Sequence, residues 1–376
     1  MRAFVLPMAD VETGDTCSTP IEVEIDVQDS VVLPISGACP TSTLVIVNTA
    51  SPGGDEVEAD WYVSLDADSA TMSTPAVEIG FTELGNLIDS PSHEPGATSQ
   101  PLGLRLIGEP DTEVLGWGCA CEGWGVGTPG DPARSGGVSW GNGTSNVELN
   151  SFEQLSSTSI TSTVSVAGAY LVKHSFHPSP SPNLIQIDVE VSYVGPEPAP
   201  KSVFYRRVFD WDIPPTVYRE YTTMATGSGG GAAFVAHTSD DGFANPSPAS
   251  ARTQIRSSGF FTDSGEYDNG GQVELSLGSF EKVRVKTFTI YYGAAASEAG
   301  ALAAVDTVSA DVYSLGQDNP DSGAPVTAIF AANGSSLRAG TTTARASQLK
   351  TLNPTSERVK TMNRDRAQRT QSRGAN

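Results

Sequence analysis

The chain has 376 residues, 38% of them hydrophobic, with 38 glycines and 25 prolines, which predicts a real core built from many short elements and few long helices. A net charge of −22 and a pI near 4.4 repel nucleic-acid phosphates and anionic lipid, so neither is an expected partner. No run approaches the roughly 18 apolar residues of a membrane span, and the start, "MRAFVLPMADVETGD", has too short an apolar stretch for a secretory leader.

Period-two alternation dominates the chain and predicts strands with one wet face, the habit of antiparallel sheets. In "IEVEIDV", Ile21, Val23, Ile25 and Val27 share one face while Glu22, Glu24 and Asp26 share the other. Further strands are expected at 41–48, 59–65, 102–108, 159–166, 185–193, 202–212, 272–277, 282–292 and 325–331. Turn signals such as "GNGT", "SPSPN", "GPEPAP" and "DNGG" separate them. One helix is expected in "SEAGALAAVDTVSADVYSL", capped by Ser297, with Leu302, Val305, Val308 and Val312 as its buried stripe. The fold class is therefore all-β: antiparallel sandwich layers with one short C-terminal helix and a flexible basic tail.

The proline-rich stretch 89–101 suggests a boundary between an N-terminal β region, 1–88, and a main sandwich, 102–332. Residues 333–376 lack aromatics and read as an arm that a partner orders. From Arg338 onward nine Lys or Arg, among them Arg358, Lys360, Arg364, Arg366 and Arg369, face only Glu357 and Asp365, a surplus of seven. With −22 overall, that leaves −29 on the rest. A basic arm on an acidic body predicts self-association into a homo-oligomer or larger assembly.

From Gly116 onward the chain resembles a set of bacterial exported proteins, many of which carry a PEP-CTERM sorting signal. The residues concerned are "CEGWGV" (121–126), "YRRVFDWDIPPT" (205–216), "SDDGFANP" (239–246), "DSGEYDNGG" (263–271) and the segment 290–317. They follow one another over about 200 residues, 116–317. The resemblance implies an extracellular or surface β protein and assigns no reaction. The leader and the C-terminal Pro-Glu-Pro, apolar and basic segments typical of that set have no counterpart in this sequence.

Four places carry candidate chemistry. In "GWGCACEGWGVG" (116–127), an extended backbone would put Cys119 and Cys121 roughly 7 Å apart on one face, too far for an easy mutual disulfide, so each is expected to reach Cys17 or Cys39 or to stay reduced. A thiolate metal site there would draw on His174 and His177. Trp117 and Trp124, set among glycines, suit close sheet packing; if exposed, they and Trp140 would serve as polysaccharide platforms.

In "FDWDIPP", alternation puts Asp210 and Asp212 on one face, where they form an ion pair with Arg206 and Arg207 or supply a glycosidase acid and base. The acidic turns offer Asp240, Asp241, Asp263, Glu266, Asp268 and Asn269 as oxygen ligands for calcium, the one cofactor suggested and not a required one. A hydrolase base would have to be His93, His174, His177 or His237, and no nucleophile elbow accompanies them. The resulting expectation is a noncatalytic structural or adhesive protein of an extracellular or particle surface. The alternative is a carbohydrate-binding module or glycoside hydrolase.

Overall fold

The computed structural model describes residues 68–89, 101–108, 112–119, 121–230, 232–322 and 325–338, together with four strands nearer the N-terminus. The chain divides into two units, Met1–Arg338 and Ala339–Asn376. The five arm residues and Cys17, Cys39 and His93 lie outside the described residues.

Strands β1 (Arg2–Pro7), β2 (Ile21–Glu24) and β3 (Ser42–Val45) pair antiparallel in the order β2-β1-β3. A second sheet is a consecutive meander of β4 (Tyr62–Leu65), β5 (Ser69–Ser73), β6 (Val77–Thr82), β7 (Leu104–Leu106) and β8 (Thr112–Glu113). The expected boundary at 89–101 does not separate two sheets, because β6 pairs with β7 across it, Val77 opposite Leu106.

The remaining strands are β9 (Glu122–Thr128), β10 (Asp131–Ser139), β11 (Gly143–Ser145), β12 (Val147–Ser156), β13 (Ser159–Val166), β14 (Tyr170–Pro178), β15 (Leu184–Tyr193), β16 (Val203–Asp210), β17 (Glu220–Thr226), β18 (Val235–Ser239), β19 (Phe261–Tyr267), β20 (Gly270–Gly278), β21 (Val285–Ala295), β22 (Val312–Gln317) and β23 (Thr327–Asn333). They build a six-stranded sheet, β11-β10-β9-β16-β20-β18, and a nine-stranded sheet, β12-β13-β14-β15-β21-β23-β22-β17-β19, both antiparallel. The two face each other as a sandwich, as the alternation predicts.

Their inner faces meet in an aromatic core. Phe209 of the six-stranded sheet stacks on Phe330 of the nine-stranded one with ring centroids 4.8 Å apart, Tyr205 meets Phe288 edge-on at 5.0 Å, and Trp124 lies 4.6 Å from the His174 ring. Each such pair adds about 0.5–1.5 kcal/mol beyond the area it buries. The five-stranded sheet joins the same core through Phe81, which stacks on Phe176 at 3.9 Å.

Strand β15 shows the expected alternation, with Ile185, Ile187, Val189 and Val191 buried and Asp188 exposed. Strand β20 departs from it: Val273, Leu275 and Leu277 are buried, and so are Gln272 and Glu274 on its outer face. That face is covered by the 245–252 segment, whose Arg252, with Arg206, binds Glu274.

The helix is shorter than expected. α1 (Glu298–Thr307) starts at Ser297, whose hydroxyl accepts the Gly300 N–H, and 312–317 continues as strand β22. Val312 therefore belongs to a sheet. The helix buries Ala301, Ala304 and Val305 against Leu184, Tyr291 and Ile329; of the expected stripe, Val305 and Val308 are buried in that cluster and Leu302 packs against it. A second helix, α2 (Ser335–Arg338), follows β23.

Among the strands that period-two reading misses, β9 and β10 are glycine-rich. In β9, Gly123, Gly125 and Gly127 alternate with Trp124 and Val126, leaving one face free of side chains. Pro246 lies on that face so closely that a Cβ at Gly125 would stand 2.4 Å from its carbonyl oxygen. Gly125→Ala is expected to destabilize the fold by about 1–3 kcal/mol through this overpacking, a shift that chemical denaturation measures directly.

Candidate functional site

The "YRR" of β16 places two arginines on opposite faces of one central strand, and each meets a buried glutamate. Arg207 points inward, its Nε 2.5 Å from Glu122 Oε1, with both side chains at most 1% exposed. Most of the remaining groups of this inner cluster find partners, Arg207 Nη2 and His174 Nδ1 being the exceptions. The Tyr292 hydroxyl donates to Glu122 Oε1 at 2.9 Å and accepts from Arg207 Nε at 3.0 Å, and the Leu87 N–H donates to Glu122 Oε2 at 2.5 Å. Arg207 Nη1 donates to Tyr205 Oη at 3.1 Å, and that hydroxyl lies 3.0 Å from His174 Nε2. Burial pushes Glu122 upward, and Arg207, the Leu87 N–H and the Tyr292 hydroxyl oppose it.

Arg206 points outward and binds Glu274, Nη2 to Oε2 at 2.6 Å, while Nη1 donates to the carbonyls of Asn245 at 2.9 Å and Ser247 at 3.2 Å. Both arginines thus pair with Glu122 and Glu274, not with the expected Asp210 and Asp212. Strand parity is the reason: Arg207 shares its face with Glu122 across the β9–β16 ladder, and Arg206 sits opposite Glu274 in the β16–β20 ladder.

Asp210 and Asp212 are left with no cation. They lie at the end of β16, 2% and 0% exposed, beside Glu220 at 0%. Asp210 Oδ1 and both oxygens of Asp212 have no hydrogen-bond partner in the structure, while the backbone of 218–220 faces the Glu220 carboxylate and opposes its shift. Glu113, at the β8 edge of the meander, accepts the N–H groups of Leu104 at 2.8 Å, Leu115 at 3.1 Å and Gly116 at 2.8 Å on one oxygen and leaves the other unpartnered.

Burial comes first among the causes that lift each of these acids, and mutual repulsion adds to it for Asp210, Asp212 and Glu220. Glu113 rises to about 7, its three N–H donors opposing the shift, and Asp212 to about 8, with Glu220, Asp268 and Glu113 repelling it. Glu220 rises to about 7, and Asp210 goes well above the carboxylate range through burial and then Asp212, Asp268, Glu220 and Asp241. Over this cluster lies Tyr218, 49% exposed, its ring against Gly118.

Cys119 and Cys121 depart from the expected pairing. Cys119 and Cys121 are bonded to each other, S–S 2.03 Å, because the 116–119 segment turns instead of extending and brings their Cα atoms to 5.1 Å. Gly118, at φ +62°, makes that turn. A three-residue loop is a weak cross-link, contributing under about 2 kcal/mol by closure entropy against about 4.7 kcal/mol for a 100-residue loop. The disulfide leaves no thiolate for a metal, and His174 is in the core while His177 pairs with Asp188 at 3.0 Å.

Trp124 is 0% exposed and donates its indole N–H to the Leu84 carbonyl at 2.9 Å, so it is a packing residue and not a sugar platform. Trp117 and Trp140 are half-buried, with their N–H groups on the Glu113 and Ile88 carbonyls.

The acidic turns hold their oxygens in internal bonds. Asp240 accepts the N–H groups of Ile255, Arg256 and Ser257 and the hydroxyls of Ser264 and Tyr267, which makes it the organizer of the 255–267 segment. Asp241 caps the Phe243 N–H, Asp263 accepts from Thr223, Glu266 pairs with Arg219, and Asn269 bridges Thr222 and Ser264. Asp268 is exposed and belongs electrostatically to the Asp210 cluster. Among the described residues no three His, Cys, Asp or Glu side chains are arranged to hold a metal ion.

Fold and site together define an antiparallel β-sandwich with a cluster of buried acids at one strand end. No family model matches the chain, and no curated protein matches it.

Two outcomes test this geometry. Removing one partner of the inner pair by Arg207→Met is expected to destabilize the fold by about 3–5 kcal/mol, since Glu122 stays buried and unpaired; urea titration reads the loss. The acid cluster has a sign opposite to that of most carboxylates. Its folded pKa values, about 7 for Glu113 and Glu220 and about 8 for Asp212, lie above the ordinary 4.5 and 3.8, so the folded state holds more protons between them. Stability is fully present below about pH 4 for these groups and is lost as pH rises through 7 to 8. Thermal melts are therefore expected to show a lower Tm at pH 8 than at pH 6, and Asp212→Asn to raise the pH 8 value by a few degrees, about 2–4 °C for each kcal/mol.

Proposed function

We propose that this chain is a noncatalytic structural or adhesive protein of an extracellular or particle surface that self-associates, the basic arm of one copy docking on the acidic body of another. The observation that supports this reading is the edge of the nine-stranded sheet. Strand β12, Val147–Ser156, pairs only with β13 among the described residues, which leaves the outward-pointing half of its backbone donors and acceptors without a neighboring strand. An open edge is a template for strand addition. Its exposed side chains include Glu148, Glu153 and Leu155, a surface that suits a basic segment and repels a second copy of itself. Register shifts at Leu149/Ser151 and Gln154/Ser156 shorten the regular run and favor a short added strand over open-ended stacking.

A second reading has its own support. Asp210 and Asp212, both raised, lie near exposed Tyr218, and together they offer the aromatic rim and protonated acid that polysaccharide cleavage uses.

Light scattering after size exclusion, near physiological salt, tests the first reading with the intact chain beside one ending at Arg338. That endpoint keeps Leu337 on the core and the Gly334 N–H on Asp311 at 2.8 Å. Defined oligomers from the intact chain and monomers from the shorter one are expected, with Glu148→Lys/Glu153→Lys weakening the association. Monomers from both would sink the reading, and hydrolysis of a polysaccharide lost on Asp210→Asn would replace it with the second.

A further inference from the structure

The Cys119–Cys121 disulfide is held against the end of β16. The register puts Phe209 opposite Glu122, and one residue further the Asp210 N–H donates to the Cys121 carbonyl at 3.0 Å. The two cysteines are not equivalent. Cys119 is exposed, whereas Cys121 is 8% exposed and its Sγ packs on Gly141 so tightly that a Cβ there would stand 2.7 Å away. Asp210, 2% exposed, sets its Oδ2 3.5 Å from Cys119 Sγ. A disulfide sulfur has no proton to donate, so this contact is a hydrogen bond in only two states: with the proton on Asp210 while the disulfide is closed, or with the proton on Cys119 after it opens.

We propose that Cys119, Cys121 and Asp210 form a thiol–disulfide exchange site that oxidizes substrates presenting two exposed thiols. This inference goes beyond the assembly reading and does not depend on it. A substrate thiolate attacks Cys119 Sγ, the accessible sulfur; a mixed disulfide forms, the Cys119–Cys121 bond breaks, and its electron pair leaves on Cys121, which takes a proton from water. The second substrate thiolate attacks the substrate sulfur of the mixed disulfide. The substrate disulfide forms, the electron pair leaves on Cys119, and Cys119 takes the Asp210 proton. The substrate loses two electrons and the protein disulfide gains them.

Burial, and then the neighboring Asp212, Asp268, Glu220 and Asp241, disfavor the charge on Asp210 and hold its proton well above the ordinary carboxylate range. The same placement works in reverse, where the Asp210 carboxylate draws the proton from the Cys119 thiol and makes the thiolate that attacks a disulfide.

The test uses the full chain, oxidized, with a reduced dithiol peptide as probe and peptide mapping of every cysteine as readout. Stoichiometric peptide oxidation with opening of the Cys119–Cys121 bond is expected, slowed at least tenfold near pH 7 by Asp210→Asn. With glutathione disulfide, the reduced Cys121→Ser chain is expected to trap glutathione on Cys119, and Cys119→Ser to trap at least tenfold less on Cys121. The trapping pair keeps the test decisive if Asp210→Asn fails to fold. Persistence of the peptide thiols beside an intact Cys119–Cys121 bond, equal trapping on the two cysteines, or an Asp210→Asn chain that folds and exchanges as fast as wild type between about pH 6 and pH 9, would overturn the proposal.

Discussion

Glu122 and Arg207 face each other across the inner layer of the sandwich with no water to solvate either. Taking two such charges out of water costs several kcal/mol apiece, repaid only by tight geometry and a full set of further hydrogen bonds. That requirement organizes the three layers around the pair. The six-stranded sheet supplies Glu122, Arg207 and Tyr205, the nine-stranded sheet supplies Tyr292 and His174, and the turn after β6 supplies the Leu87 N–H and the Gly85 carbonyl. Each sheet meets the others at a charge that none could bury alone.

A second buried pair repeats the device on the outer face. Arg206 and Glu274 tie the covering 245–252 segment to the six-stranded sheet, and the glycine alternation of β9 gives that segment a surface it can approach. The two arginines stand next to each other in sequence because a strand turns neighbors to opposite faces. Balanced positive charge ends there. One strand end further on, Asp210, Asp212, Glu220 and Glu113 are buried with no arginine among their hydrogen-bond partners, and they hold protons where the pairs hold charge. Groups held so far from their ordinary protonation concentrate at sites of chemistry. Here they lie against the one described disulfide, with an exposed sulfur on its outer side.

Much of the architecture was legible in the residue pattern. Ile185 to Val191, Ser159 to Val166 and the Ser297 cap announce their elements through local periodicity and capping, which need no partner to be read. β9 and β10 escaped because glycine has no hydrophobic signature; what makes "GWGVG" a strand is the segment lying on its bare face. Val312 was assigned to the helix because a stripe at helical spacing continues through it, and only the pairing of 312–317 with β17 and β23 ends the helix earlier.

Composition and alternation by themselves determined an antiparallel all-β chain with a charge-segregated tail, because side-chain period and net charge are properties of the linear sequence. Tertiary structure alone decided which charges meet. The arginines bind Glu122 and Glu274 and leave Asp210 and Asp212 unpaired, Trp124 is enclosed, and Cys119 bonds Cys121. Strand parity limits a residue to one face of its sheet, but what waits on that face comes from segments tens of residues away, and only the packed sheets bring them together.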